Sequence, residues 1–140
     1  MLKFLLDTTI VSAPIVKEPN QRAVRKLERQ SDRCAIAAPV WHELVYGCSR
    51  LPAGKRRIAL EEYLHGVVRR CFPILSYDEA AAEWHGRERA RLEESGRTPP
   101  FVDGQIAAIA HTQSLTLVTT NTKDFQWFDK LETADWTRRP

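Results

Sequence analysis

At 140 residues with 43% hydrophobic content, the chain holds apolar material for one core of ordinary size, and a single domain over residues 1–140 is expected. The net charge of +3 is too small to demand a polyanionic partner, although basic residues cluster at Arg22, Arg25 and Arg29, at 55–57, at 69–70 and at Arg87, Arg89 and Arg91, each with glutamates in pairing reach. No apolar run approaches the roughly 20 residues of a membrane helix. Asp7 interrupts the short apolar start, and Cys34, Cys48 and Cys71 form no C-x-x-C pair, so reduced core thiols in a cytoplasmic protein are expected.

Residues 3–6 read as a short buried strand with Asp7 at its carboxyl end and Thr8 or Thr9 placed to cap a following helix. A loop over 14–19 leads to a polar amphipathic helix over 21–30, and residues 34–38 form a second strand. Pro39 suits the first turn of a helix running to Ser49, with Gly47 a weak point near its end. Pro52 opens a long helix to Arg70, its apolar side carrying Ile58, Leu60, Tyr63, Leu64, Val67 and Val68. Residues 72–75 form a third strand, which Pro73 restricts to an edge or strand-start position. A helix over 78–94, a loop over 95–100 and an apolar helix over 102–113 precede the clearest strand, residues 115–119. A loop over 121–128 and a tail with Trp136 and two arginines follow. Strands alternating with helices predict an α/β sandwich around a mostly parallel sheet.

Three apolar segments carry one carboxylate where the pattern calls for an uncharged residue: Asp7 after Leu6, Glu43 within 40–45, and Asp103 ahead of 106–110. Gathering carboxylates at the edge of a core costs desolvation and mutual repulsion, and a divalent cation is the usual compensation. In open α/β sheets ligands collect at the carboxyl ends of strands, where Asp7 is expected. Glu43, three residues after Val40, is expected on the core-facing side of its helix, and Asp103 shares a stripe with Ile106, Ala107 and Ala110. Each acid taken alone also reads as a helix cap or first-turn acid. Beyond the last strand, Thr119, Asn121 and Asp124 offer a hydroxyl, an amide and a carboxylate, all equally at home in a turn.

Four segments in order, Leu5-Leu6-Asp7-Thr8-Thr9-Ile10-Val11-Ser12, His42-Glu43-Leu44, Asp103-Gly104-Gln105-Ile106-Ala107-Ala108 and Val118-Thr119-Thr120-Asn121-Thr122-Lys123-Asp124-Phe125, together resemble a PIN domain of the VapC type. The resemblance spans nearly the whole chain and implies a PIN-like α/β/α sandwich. It further implies a Mg²⁺-dependent endoribonuclease, with Mn²⁺ as an alternative ion, that is the toxin of a VapBC-type pair. The expected partners are a structured RNA substrate, with tRNA the family-level choice, a cognate VapB-type antitoxin, and a second copy in a homodimer. By the same resemblance Asp7, Glu43 and Asp103 match the family's acidic residues, Asp7 and Asp103 being the principal metal ligands. Thr8 and Thr119 join the candidate catalytic set. Thr9 stands where the family usually has Asn or Ser, and Asn121 where some members have a fourth Asp, so Asn121 and Asp124 compete for that position.

Rival readings are a PIN-like nuclease acting on DNA or in RNA processing, and a binding subunit without catalysis. A phospho-acceptor receiver module would need an acidic pair after the first strand, and only Asp7 stands there. His42, His65, His85 and His111 lack metal-ligand spacing and are assigned structural or surface roles. The absence of H-E-x-x-H, G-x-S-x-G and P-loop signatures removes zincin, serine hydrolase and P-loop nucleotide chemistry. The four tryptophans read as core or interface anchors, with Trp41 and Trp127 flanking the acidic motifs and placed to line a substrate groove.

Overall fold

A computed structural model of the chain describes residues 1–139. The strands are β1 (Phe4–Leu6), β2 (Cys34–Ala37), β3 (Ile74–Leu75), β4 (Thr116–Val118) and β5 (Thr133–Ala134). They pair in the order β3-β2-β1-β4-β5, every pairing parallel. β1 and β2 are buried along their whole length, which is why they appear in the sequence as unbroken apolar runs rather than alternating ones.

The helices are α1 (Thr8–Val11), α2 (Gln21–Gln30), α3 (Ala38–Ser49), α4 (Lys55–Tyr63), α5 (Arg69–Cys71), α6 (Glu79–Glu94) and α7 (Phe101–Thr112). Local chemistry sets their starts. The Asn20 side chain accepts from Ala23 N to cap α2, and Asp78 does the same for Ala81 N at α6. Pro39 occupies the first turn of α3, where its missing N–H costs nothing.

The chain leaves β1 to build β2 and β3 on one side and returns to build β4 and β5 on the other, so the topological switch lies between β1 and β4. Their register pairs Leu6 with Val118, and Asp7 N donates to Val118 O at 2.9 Å. Asp7 and Thr119 therefore leave the sheet side by side.

Several expectations are corrected. The helix expected from Pro52 begins at Lys55 and is interrupted by a π-helical turn over Leu64–Val68. A π turn shifts the phase of the apolar stripe, so Leu64 and Val68 are buried while Ile58 and Val67 face solvent. Tyr63 at this junction donates its hydroxyl to Val11 O at 2.6 Å, tying the long helix to α1. Cys71 is exposed rather than in the core, whereas Cys34 and Cys48 are buried; all three are free. β5 was not anticipated, because two residues are too few to show a periodicity. Trp136 behind it is buried edge-on against Phe4, with ring centroids 4.9 Å apart. Among the described residues no helix is long and apolar enough to cross a membrane.

α7 reaches the sheet through small residues: Gly104, Ala107, Ala108 and Ala110 are all buried. Its first turn is set by α6, where buried His85 packs so tightly against Gly104 that a Cβ there would overlap the imidazole. His85 is itself held by a 2.8 Å hydrogen bond between its Nδ1 and Tyr77 Oη. Asp103, one residue before this contact, is thereby aimed.

Candidate active site

Asp7 uses both carboxylate oxygens. Oδ1 accepts from Thr8 N at 2.8 Å, so Asp7 itself caps α1, in place of Thr8 or Thr9. Oδ2 accepts from Thr119 Oγ1 at 2.7 Å, and that same hydroxyl oxygen accepts from Asn121 N at 3.0 Å. Thr119 is completely buried. A single hydroxyl thus joins the end of β1 to the turn after β4.

The threonines freed from capping reach across the site. Thr8 Oγ1 donates to Glu43 Oε2 at 2.9 Å, and the Thr9 and Thr120 hydroxyls share a hydrogen bond at 3.2 Å. Glu43 is exposed, against the expectation of a core-facing position. The buried line of α3 runs Val40, Leu44, Cys48, and Glu43 lies on its solvent flank. The Thr8 hydrogen bond is what holds it toward Asp7.

Asp103 sits in the first turn of α7, half-buried, on the stripe continued by Ile106, Ala107 and Ala110. Burial pushes its carboxyl up from 3.8 to about 6, and the negative charges of Asp124, Asp7 and Glu43 add to the rise in that order. The four acids therefore share one electrostatic neighbourhood, although they come from four separate segments of the chain. Asp124 acts on Asp103 more strongly than Asp7 or Glu43 does. Asn121 is exposed, and its backbone N–H, rather than its amide, makes the recorded contact.

Among the described residues no Lys, Arg or His forms an ion pair with these four carboxylates; the ion pairs run Arg57–Glu61, Arg87–Glu83, Arg89–Glu93, Arg91–Glu88 and Arg138–Asp135. Nor, among the described residues, do three His, Cys, Asp or Glu side chains close on one point as a ready-made cage. Three of the acids instead line two grooves. Asp103 and Asp124 line one of about 340 Å³ with Arg97, Lys123 and Trp127, while Glu43 and Thr8 line another of about 300 Å³ with Arg50 and Arg56. Carboxylate and hydroxyl oxygens, mutually repelling and unpaired with any cationic side chain, form a donor set that fits a hard divalent cation.

Sequence reasoning missed two features. Gly104 carries no visible signal beyond its small size, because the reason for it is His85 on another helix. Arg97 was noted only as part of a loop, yet its guanidinium lies 3.7 Å from the centroid of the Trp127 ring. Trp127 does line a groove beside the acids, as anticipated. Trp41 instead packs against the core and meets His65 edge-on at 5.6 Å.

Comparison with known proteins concerns the family and the fold. The family model for the PIN domain matches residues 4–131. The tRNA(fMet)-specific endonuclease VapC of Shigella flexneri is 37% identical over 136 residues, covering 97% of this chain and 99% of that protein. Among solved structures, FitAcB from Neisseria gonorrhoeae superposes with a TM-score of 0.88 at 31% identity, over 97% of this chain and 99% of that chain. DNA-bound VapBC from Salmonella typhimurium gives a TM-score of 0.81 at 30% identity, over 97% and 99%.

Proposed function

The chain belongs to the PIN domain family, and from that premise we propose that it is a Mg²⁺-dependent endoribonuclease, the toxin of a VapBC-type toxin–antitoxin pair. The observation that carries the reading is that Asp7, Glu43 and Asp124 all bear on the charge of Asp103 near the carboxyl ends of β1 and β4, with no ion pair to any of the four among the described residues. Asp7 and Asp103 are the proposed principal ligands, with Glu43 beside them. Asp124 is proposed for the fourth position in preference to Asn121, because it lines the same groove as Asp103.

When bound, the cation supplies charge neutralisation at the scissile phosphate and lowers the pKa of an attacking water. The chain's own residues prepare for it. Each Asp7 oxygen accepts one hydrogen bond and keeps further lone-pair capacity, so Thr8 N and Thr119 fix the carboxylate without saturating it. Thr8 steers Glu43 in the same way. Asn121, through its backbone N–H, holds the Thr119 hydroxyl in the acceptor role that leaves its proton for Asp7. No histidine base is required, and His85 is buried against Gly104 in any case. The basic residues Arg97 and Lys123 on one groove and Arg50 and Arg56 on the other give the phosphate backbone an approach to an otherwise repulsive site.

A structured RNA is the proposed substrate, in line with the endonuclease name carried by the Shigella relative. A VapB-type antitoxin is the proposed inhibitor, in line with the VapBC assembly of the Salmonella structure. A homodimer, a cytoplasmic location and a single nuclease unit spanning the chain complete the reading. The test is to incubate labelled RNA and DNA side by side with Mg²⁺ and with EDTA, using the wild type, Asp7→Asn and Asp103→Asn. RNA cleavage that needs Mg²⁺ and disappears in both variants is expected. Equal cutting of DNA would remove the RNA assignment, and full activity in both variants would remove the metal site.

A further inference from the structure

We propose that Trp127 and Arg97 form a stacking platform for one unpaired base of the RNA substrate beside the acidic site, a reading that rests on the nuclease assignment above. Trp127 is 48% exposed and does not belong to the core, which its neighbours Phe125 and Phe128 fill. The ring lines the groove of about 340 Å³ that also contains Asp103, Asp124 and Lys123, so a base resting on it lies next to the carboxylates.

The segment that carries Trp127 is anchored to α6. Trp127 O accepts from Arg91 Nη2 at 2.9 Å, and Arg91 is clamped by a bidentate pair to Glu88 at 2.7 and 2.8 Å. Glu88, buried on α6, also accepts from Asp129 N at 2.7 Å, so the segment is tied to the helix at Trp127 and again two residues later. A platform fixed before binding spends little affinity on ordering itself.

Arg97 supplies the second layer. Gly96, with φ +81°, reverses the chain after α6 so that Arg97 N donates to Leu92 O at 2.8 Å, and the guanidinium comes to rest on the indole. Among the described residues Arg97 pairs with no carboxylate; its side chain makes one weak contact, at 3.4 Å, to Ser95 Oγ. The guanidinium carbon thus lies over the ring, and Arg97, partly exposed at the groove, is not consumed by an ion pair. Guanidinium planes and aromatic rings are the two surfaces on which unstacked RNA bases settle. Lys123 in the same groove suits a flanking phosphate, and two cationic side chains beside an exposed indole favour nucleic acid over an apolar peptide as the occupant.

The test measures binding of a short, fluorescently labelled single-stranded RNA by anisotropy in EDTA, where hydrolysis is off, together with a set of the same RNA made abasic at one position at a time. Trp127→Ala should weaken binding by about 5- to 150-fold, the span observed for loss of one base–aromatic stack. Trp127→Phe should retain most of the affinity, and Arg97→Lys, which keeps the charge but not the plane, should lose roughly tenfold. The abasic RNA that binds the wild type least well should bind Trp127→Ala no worse than intact RNA does. Affinity within twofold of wild type for Trp127→Ala, or an abasic penalty that survives in that variant, overturns the platform. Thermal melting of each variant separates lost stacking from lost folding, because a ring outside the core should leave the melting temperature almost unchanged. RNA cleavage with Mg²⁺ by the wild type, run in parallel, tests the nuclease assignment separately, since the anisotropy result stands whether or not the RNA is cut.

Discussion

Replacing Asp103 by Asn should make the metal-free protein more stable while removing its activity. A carboxyl raised from 3.8 to about 6 costs the folded, ionised state up to about 3 kcal/mol. Half-exposure to solvent reduces this to about 1–2 kcal/mol, and the asparagine forfeits about 0.5 kcal/mol of favourable interaction with the start of α7. A net gain of about 1 kcal/mol corresponds to roughly 2–5 °C in melting temperature for a chain of this size. The direction with pH follows from the raised value. Below the unfolded value of 3.8 the side chain is protonated in both states and carries no penalty; the penalty grows as pH rises and is complete above the folded value of about 6. Thermal melts of wild type and Asp103→Asn in EDTA should therefore separate near neutral pH and converge below about pH 4. Added Mg²⁺ should raise the melting temperature of the wild type and scarcely move the variant, because a ligand stabilises only the state that binds it. If Asp103→Asn melts below the wild type at neutral pH in EDTA, or keeps the same advantage at acid pH, the crowding of charge at this site has been misjudged.

Thr119→Val keeps the shape of the residue but removes the hydroxyl that donates to Asp7 and accepts from Asn121 N. The orphaned groups should cost about 1–3 kcal/mol in urea unfolding and reduce cleavage, whereas Thr119→Ser should restore both. Gly104→Ala drives a methyl into His85, and overpacking of this kind should cost about 1–3 kcal/mol, read by the denaturation midpoint, with activity falling because Asp103 is adjacent. Glu88 is held below its ordinary 4.5, first by its hydrogen bond to Arg91, so its contribution is complete above that value and lost as pH falls through the lower folded one. Glu88→Gln should accordingly lower the melting temperature at neutral pH, with the difference from wild type closing in acid.

The sequence by itself determined most of the strands and helices and marked three candidate acids. Runs such as 4–6 and 34–37 are apolar because both faces of a central parallel strand are covered, and the caps at Asn20 and Asp78 act within three residues of themselves, so local pattern sufficed for these elements. The carboxylates at positions 7, 43 and 103 stood out because each breaks an apolar pattern. Only the tertiary structure decided which groups act on one another. Parallel pairing of β1 with β4 places Thr119 beside Asp7 across 112 positions of sequence. The exposure of Glu43, the nearness of Asp124 to Asp103, the packing of His85 on Gly104, and the placement of Arg97 over Trp127 have the same origin. Capping and burial are written into neighbouring residues. The energy of a charge depends on every other charge within several ångströms, and no run of neighbouring residues records which distant segments the fold will bring there.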